Sequence, residues 1–401
     1  MQTVTPPFAA STAAHVLSIP RKAPADSFVL HAPLELMARA GLSAYVEPEQ
    51  RPAAERQIAH LAHRFVAAGP AVLPPPATEF DSLADGAAAL GGAIASGDLD
   101  AVDATATWLL SWATPAELPC LIGAHIVDSL AAAAHAPIGL ALLRRVAGGT
   151  LRPTLLRGAL RELARQPDWR ITWFRSPTAR RASGQPALAE ALRRVPLLGS
   201  PGSNFIKPLM SQVEDTGVCA ELLAPALGNG ESLACQSQAI MRAAAWSMLH
   251  DAPSEAPYGW THCLTLPQAV LALAGNGVEE RTAIAVAATF VAGFRAGLGA
   301  VELGELGDDD AVAAGGRSGI DVVHLATNAA LHEDAHLVKY TLACIHAAHD
   351  DPAWSDVYLA GAAYLAAWWT DHSSRLEDAP PTAARRAAVS PAGGRRTIQR
   401  A

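Results

Sequence analysis

The chain has 401 residues, half of them hydrophobic, only 5% aromatic, with a formal net charge of −8. That acidic balance, with no Lys/Arg cluster interleaved with aromatics, argues against nucleic acid as a partner, and abundant alanine with few alternating Val/Ile/Thr runs favours helix over sheet. Five scattered cysteines without a CxxC spacing fit reduced thiols rather than a disulfide framework.

Residues 1–27, proline-rich and without a basic region leading into an apolar run, read as an irregular arm with no signal peptide. One large helical domain over 28–375 follows. Its first helix begins near His31 and Pro33 and runs to Gly41. The next, 52–68, is amphipathic, with Ile58, Leu61, Phe65 and Val66 on one face. Short helices are expected over 80–95 and 99–112, the second capped by Asp98 or Asp100. A long apolar helical region spans 116–146, with Pro137 as its kink or break. Residues 153–165 form another amphipathic helix, and 167–185 and 195–208 are the least regular interior parts. Helices resume over 209–225, 231–250, 264–274 and 279–300. An acidic, glycine-rich loop covers 302–317, a helix or helix pair 319–349, a further helix 353–370, and the chain from 376 to 401 is a disordered tail. The most apolar stretches, 121–143 and 281–300, hold charged or histidine residues and read as core helices, so no membrane partner is expected.

Only three of the 30 basic residues are lysines: Lys22, Lys207 and Lys339. Lys339 stands in the segment Ala-Ala-Leu-His332-Glu-Asp-Ala-His336-Leu-Val-Lys339-Tyr-Thr-Leu-Ala-Cys344. Read as one helix, it places His332, His336 and Lys339 within a stripe about 60° wide, since each residue turns the helix by about 100°. The spacing suits a metal, since two imidazoles one turn apart share an ion readily. It also suits a partly exposed helix with solvated side chains. A charged ammonium beside a divalent ion is disfavoured, so in a metal site Lys339 is either a neutral amine or a carbamate, formed with carbon dioxide, that serves as a carboxylate-like ligand. His31, His135 and His262 lie in apolar helical settings, where a hydrogen-bonded core histidine is the ordinary reading and a further metal ligand the alternative. His60, His63, His346, His349 and His372 have polar neighbours and read as surface.

At these residues the chain resembles the questin oxidase-like family. The resemblance is carried by the His-Glu-Asp-Ala-His-Leu-Val-Lys-Tyr-Thr-Leu-Ala-Cys run, by Ala-Ala-His-Ala-Pro-Ile at His135, by Thr-His-Cys-Leu-Thr at His262 and by His-Ala-Pro-Leu-Glu-Leu at His31. It covers roughly residues 28–370. It implies an all-α fold with a buried central site and oxidative work on polyketide aromatics, since fungal relatives open or rearrange anthraquinone rings. Some are described as Baeyer–Villiger-type oxidases that use NADPH, and at least one resembles a non-haem iron dioxygenase with four histidines and a carboxylated lysine. Carried over by motif, the iron(II) ligands here are His31, His135, His262, His336 and carboxylated Lys339, with His332 beside the metal or an alternate ligand. His31 stands alone where fungal members have several histidines.

The expectation is therefore a cytoplasmic natural-product oxygenase. It uses Fe(2+) and dioxygen on a small aromatic polyketide, with His332, His336 and Lys339 catalytic and Trp173, Phe205 and Trp260 stacking on the substrate. The alternatives are a metal-free or NADPH-dependent oxygenase of the same fold, and a non-enzymatic helical protein that binds a pathway intermediate.

Overall fold

Most alanine-rich segments with apolar residues at helical spacing become helices among the described residues. In the computed structural model 73% of the chain is helical, and the described residues form 18 α-helices and no strand. The structure describes residues 8–22, 27–76, 78–146, 151–182, 184, 186–202, 206–251, 258–303 and 319–377. In chain order the helices are α1 Phe8–Leu17, α2 Ser27–Leu42, α3 Arg51–Ala67, α4 Leu83–Ser96, α5 Leu99–Trp112, α6 Leu118–Ile126 and α7 His135–Val146. They continue as α8 Arg157–Leu163, α9 Pro177–Arg181, α10 Leu188–Arg193, α11 Ile206–Asp215, α12 Ala224–Leu227 and α13 Leu233–His250. The last five are α14 Tyr258–Leu271, α15 Glu280–Leu298, α16 Val322–Leu331, α17 Ala335–Asp350 and α18 Ser355–Glu377.

Several starts follow from capping. Asp98, not Asp100, caps α5 by accepting the N–H groups of Asp100 and Ala101, and Asp334 caps α17 through His336 and Leu337. The α3 face that packs inward is Ala54, Ile58, Leu61 and Phe65, whereas Val66 is exposed. The N-terminal arm contains α1, whose Ala10, Ala13, Ala14 and Leu17 are buried at helical spacing against α3 and α2. That spacing was present in the sequence but masked by the surrounding prolines. The loop expected at 302–317 and the tail from 376 fall almost wholly outside the described residues.

The 116–146 region breaks upstream of Pro137. Here α6 ends at Ile126, and Ala131–Ala134 form a short turn in which Ala132, Ala133 and Ala134 have φ of 50°, 51° and 55°. Pro137 lies in the first turn of α7, where the helix needs no N–H from it.

α15 is long and apolar enough to cross a membrane by length and composition, yet 83% of its apolar window is buried inside the protein. It packs on α14, which also touches α13, α7 and α17. Four helices close a ring at the centre: α2 packs on α7, α7 on α14, α14 on α17, and α17 back on α2. Each carries a residue of the site. Helical bundles commonly build cofactor and metal sites in this way, from side chains on facing helices.

Candidate metal centre

His31 on α2, His135 on α7 and His262 on α14 meet inside that ring, all buried, with one ligand-type atom of each within 4.8 Å of the others. His31 Nε2 is 2.9 Å from His135 Nε2, which is 3.5 Å from His262 Nε2. These separations suit a shared ion. Nitrogens bound at about 2.1 Å lie roughly 3.0 Å apart at right angles and roughly 3.4 Å apart at the tetrahedral angle.

The outer nitrogens decide which way the lone pairs face. His135 Nδ1 is 2.5 Å from the carbonyl of Ala132, and His262 Nδ1 is 2.7 Å from that of Tyr258. A carbonyl only accepts, so each Nδ1 carries the proton and donates it. Each neutral ring then presents a bare Nε2 lone pair to the centre, and the two lone pairs face each other. His31 can donate one Nε2–H to one of them. The remaining acceptor has no donor among the three rings, so a hydrogen-bond donor or a positive charge placed between them would complete the arrangement. Backbone carbonyls that hold Nδ1–H are also the usual support of metal-ligating histidines.

Protonation is a poor source of that positive charge. Burial first, and then the charge of Lys339, hold His31 and His135 well below the ordinary histidine value. His262 is lowered the same way, by burial, then His336 and Lys339.

The backbone before His135 is strained to aim it. Left-handed φ at three consecutive alanines costs about 1–2 kcal/mol per residue, and Ala132 in this turn supplies the carbonyl that orients the imidazole. Outliers of this kind cluster at functional sites.

His336 stands against the triad without joining its closest approach. Its ring centroid is 4.6 Å from that of His31 and 5.2 Å from that of His262. Its Nδ1 is 3.7 Å from Asp334 Oδ2, and burial outweighs that carboxylate, leaving its basicity lowered. Lys339 follows one turn later on α17, 4% exposed, and burial holds its amine down to about 8 against the pull of Asp334 and Glu35. Near neutral pH a fraction of the amine is therefore unprotonated and nucleophilic.

His332 is not on this face. Residues 332–334 are not helical. His332 follows the last turn of α16, its Nδ1 accepts the N–H of Asp334, and its ring faces Trp369 at 5.5 Å. The single stripe expected for His332, His336 and Lys339 is thus broken, because Asp334 caps a new helix. His332-Glu333-Asp334-Ala335-His336 also matches the H-E-x-x-H spacing. That metalloprotease arrangement needs both histidines on one helical face, and the break removes it. Arg39 pins the turn: it donates to the carbonyls of Ala330 and His332, both at 2.6 Å, while Glu35 holds it from one turn back on α2.

Two of the expected stacking residues, Trp260 and Trp173, are engaged with partners of their own. Trp260 is buried two positions before His262, hence on the other side of α14, under the guanidinium of Arg295 at 5.6 Å. Trp173 donates its indole N–H to Thr289 at 2.8 Å and meets Phe174 edge-on. Phe205 lies outside the described residues. The aromatics that do flank the histidines are Tyr258, whose ring is 4.2 Å from His336, and Trp369, 6.2 Å from Tyr258. Tyr258 is one turn before His262, a spacing that places both on one face and was readable in the sequence. Trp369 comes from α18, and no local signal points to it. Of the histidines read as surface, His60, His63 and His349 are exposed. His346 is partly buried, and the side chain of His372 is outside the described residues.

Comparison of the chain with protein-family models, with curated proteins and with solved structures finds no match.

Proposed function

We propose that the chain is a non-haem iron oxygenase acting with dioxygen on a flat, electron-rich aromatic of the anthraquinone-polyketide class. The observation that carries this reading is the pair of bare Nε2 lone pairs of His135 and His262, aimed at one point beside His31 and buried beyond easy protonation. Imidazole donors suit iron(II). His31, His135 and His262 would hold the ion, with His336 as a fourth ligand after a small rotation of its ring. Bound there, iron would supply oxygen activation.

Lys339 completes the set as a carbamate. Its neutral nitrogen bonds to the carbon of carbon dioxide, one C=O electron pair moves onto oxygen, and the N–H proton leaves to solvent. The product is an anion with two oxygen donors in a cluster whose other members are neutral bases. Asp334 orients His336 and Tyr258, accepting the phenol O–H at 3.4 Å. The Tyr258–Trp369 face offers the aromatic surface on which a flat substrate would stack. Electrons come from the substrate itself or from an external reductant such as NADPH. The free thiols of all five cysteines fit a reducing cytoplasm.

Metal-free catalysis, with histidines as bases on an acidic phenol, fits less well, because burial has lowered the proton affinity a base would need. A passive carrier gives no reason for inward lone pairs.

The test is anaerobic iron(II) loading followed by metal analysis. One iron per chain, removed by a chelator and strongly reduced in Lys339→Arg, which cannot be carboxylated, is the expected result. Absence of stoichiometric metal in the wild-type protein sinks the proposal. Extra density on Lys339 Nζ in a high-resolution map would test the carbamate separately.

A further inference from the structure

Helix α2 delivers more than His31. One turn and then another beyond that histidine stand Glu35 and Arg39, 4% and 3% exposed. α2 packs on both α16 and α17, so Arg39 reaches the junction between those two helices. Its Nη1 donates to the carbonyl of Ala330 and its Nη2 to the carbonyl of His332, both at 2.6 Å. Glu35 Oε1 holds the guanidinium from the other side, accepting Nε–H at 2.8 Å and Nη2–H at 2.6 Å.

These two carbonyls are ones that an unbroken helix would use. In an α-helix the carbonyl of residue i accepts the N–H of residue i+4, so Ala330 would serve Asp334 and His332 would serve His336. At the junction all four groups are bonded otherwise. Arg39 takes both carbonyls, His332 Nδ1 accepts the Asp334 N–H at 3.0 Å, and Asp334 Oδ1 accepts the His336 N–H at 2.9 Å. The His332 and Asp334 side chains belong to the segment itself and are present in either arrangement, whereas Arg39 comes from another helix. Without it, two carbonyls inside the protein lack a donor, a loss that continuing the helix repairs. The continued helix carries His332 onto the stripe of His336 and Lys339 and turns His336 relative to the triad.

We propose that Arg39 is a positioning residue for the metal centre: by occupying the Ala330 and His332 carbonyls it holds the helix break that sets His336 against the triad and keeps His332 out of it. The inference rests on the reading above in which His336 is the fourth ligand. A double-mutant cycle on the full chain tests it, with cobalt(II) as a spectroscopically visible probe, or anaerobic iron(II) if only iron is bound. His336→Ala should weaken metal binding at least tenfold. Arg39→Met should weaken it to a similar degree, and at saturation its cobalt(II) visible bands should take the form seen in His336→Ala. The double variant should bind within threefold of His336→Ala alone, because the two residues act through one ligand. If Arg39→Met does not fold, Arg39→Lys enters the same cycle, since it keeps a charge beside Glu35 and loses the planar fork that spans the two carbonyls. A wild-type affinity and spectrum in the Arg39 variant, or losses that multiply in the double variant, overturn the positioning role while the metal centre stands. If the wild-type protein takes up neither metal, the proposed function falls and this inference falls with it.

Discussion

The histidine cluster and the other buried polar clusters of the molecule obey opposite rules. Asp103 receives Arg157 at 2.5 Å and Arg161 at 2.7 Å. Asp251 receives Arg295 together with the N–H groups of Ala300 and Val301. Asp351 receives Arg242 and the Tyr358 hydroxyl. In each, opposite charges meet and the acid's lone pairs find donors. His31, His135, His262, His336 and Lys339 are all bases, with Asp334 the acid at the edge of the group, and of the two lone pairs that converge His31 can serve only one. The buried ionic clusters that hold the fold together are complete as they stand; the proposed function has the cluster at the centre of the helical ring completed by an added ion.

The largest expected effect breaks the complete side. Asp103→Ala leaves Arg157 and Arg161 facing one another without an acid, and should cost about 3–5 kcal/mol. Denaturant unfolding measures this, and a loss under 1 kcal/mol would contradict the ionic account of that cluster.

Next comes the incomplete side. Iron(II) at a hundredfold excess over its dissociation constant should stabilise the wild-type protein by about 2.7 kcal/mol. His135→Ala should lose that increment while changing the metal-free stability far less. Superimposable wild-type melting curves with iron and with chelator would argue that no specific ion completes the cluster.

Acid sharpens the contrast further. His31, His135 and His262 are held below their ordinary value of 6.5 when folded. Below that pH the unfolded chain therefore binds protons that the folded chain refuses. Their stabilising contribution is intact above about pH 6.5 and is lost as pH falls, by up to about 1.4 kcal/mol per pH unit for each histidine. His135→Ala should remove one proton from this slope in the metal-free protein. Lys339, lowered from 10.5 to about 8, has the same sign at higher pH: stability should rise as pH climbs between those two values.

The smallest effect is at the left-handed turn that aims His135. Ala133, with φ of 51°, would be relieved by glycine. Against the extra entropy of the unfolded chain, Ala133→Gly should gain about 0.5–1 kcal/mol. A destabilised variant would show that the turn is not strained.

Much of this protein is written locally. Alanine content and apolar spacing dictate an all-α chain, and Asp98 marks the start of α5 because its side chain satisfies orphan amides one turn ahead. His31, His135 and His262 were recognisable as histidines set among apolar neighbours, and Tyr258 was findable from its one-turn spacing to His262. What local pattern could not supply is direction. A run of four alanines is the strongest helix signal available, yet Ala132–Ala134 turn left-handed, because the packed ring of α2, α7, α14 and α17 outweighs a few kcal/mol of backbone preference. The stretch from His332 to Lys339 looks like one uninterrupted helix until Asp334 caps a second one and Arg39, from a distant helix, grips the carbonyls at the break. Composition and periodicity thus determined which segments are helical and which faces are buried, since those depend on neighbours within a turn or two. Which imidazoles meet, which nitrogen of each points inward, and that Trp260 and His332 turn away were decided by tertiary packing alone, because convergence of side chains from four helices depends on how their axes cross.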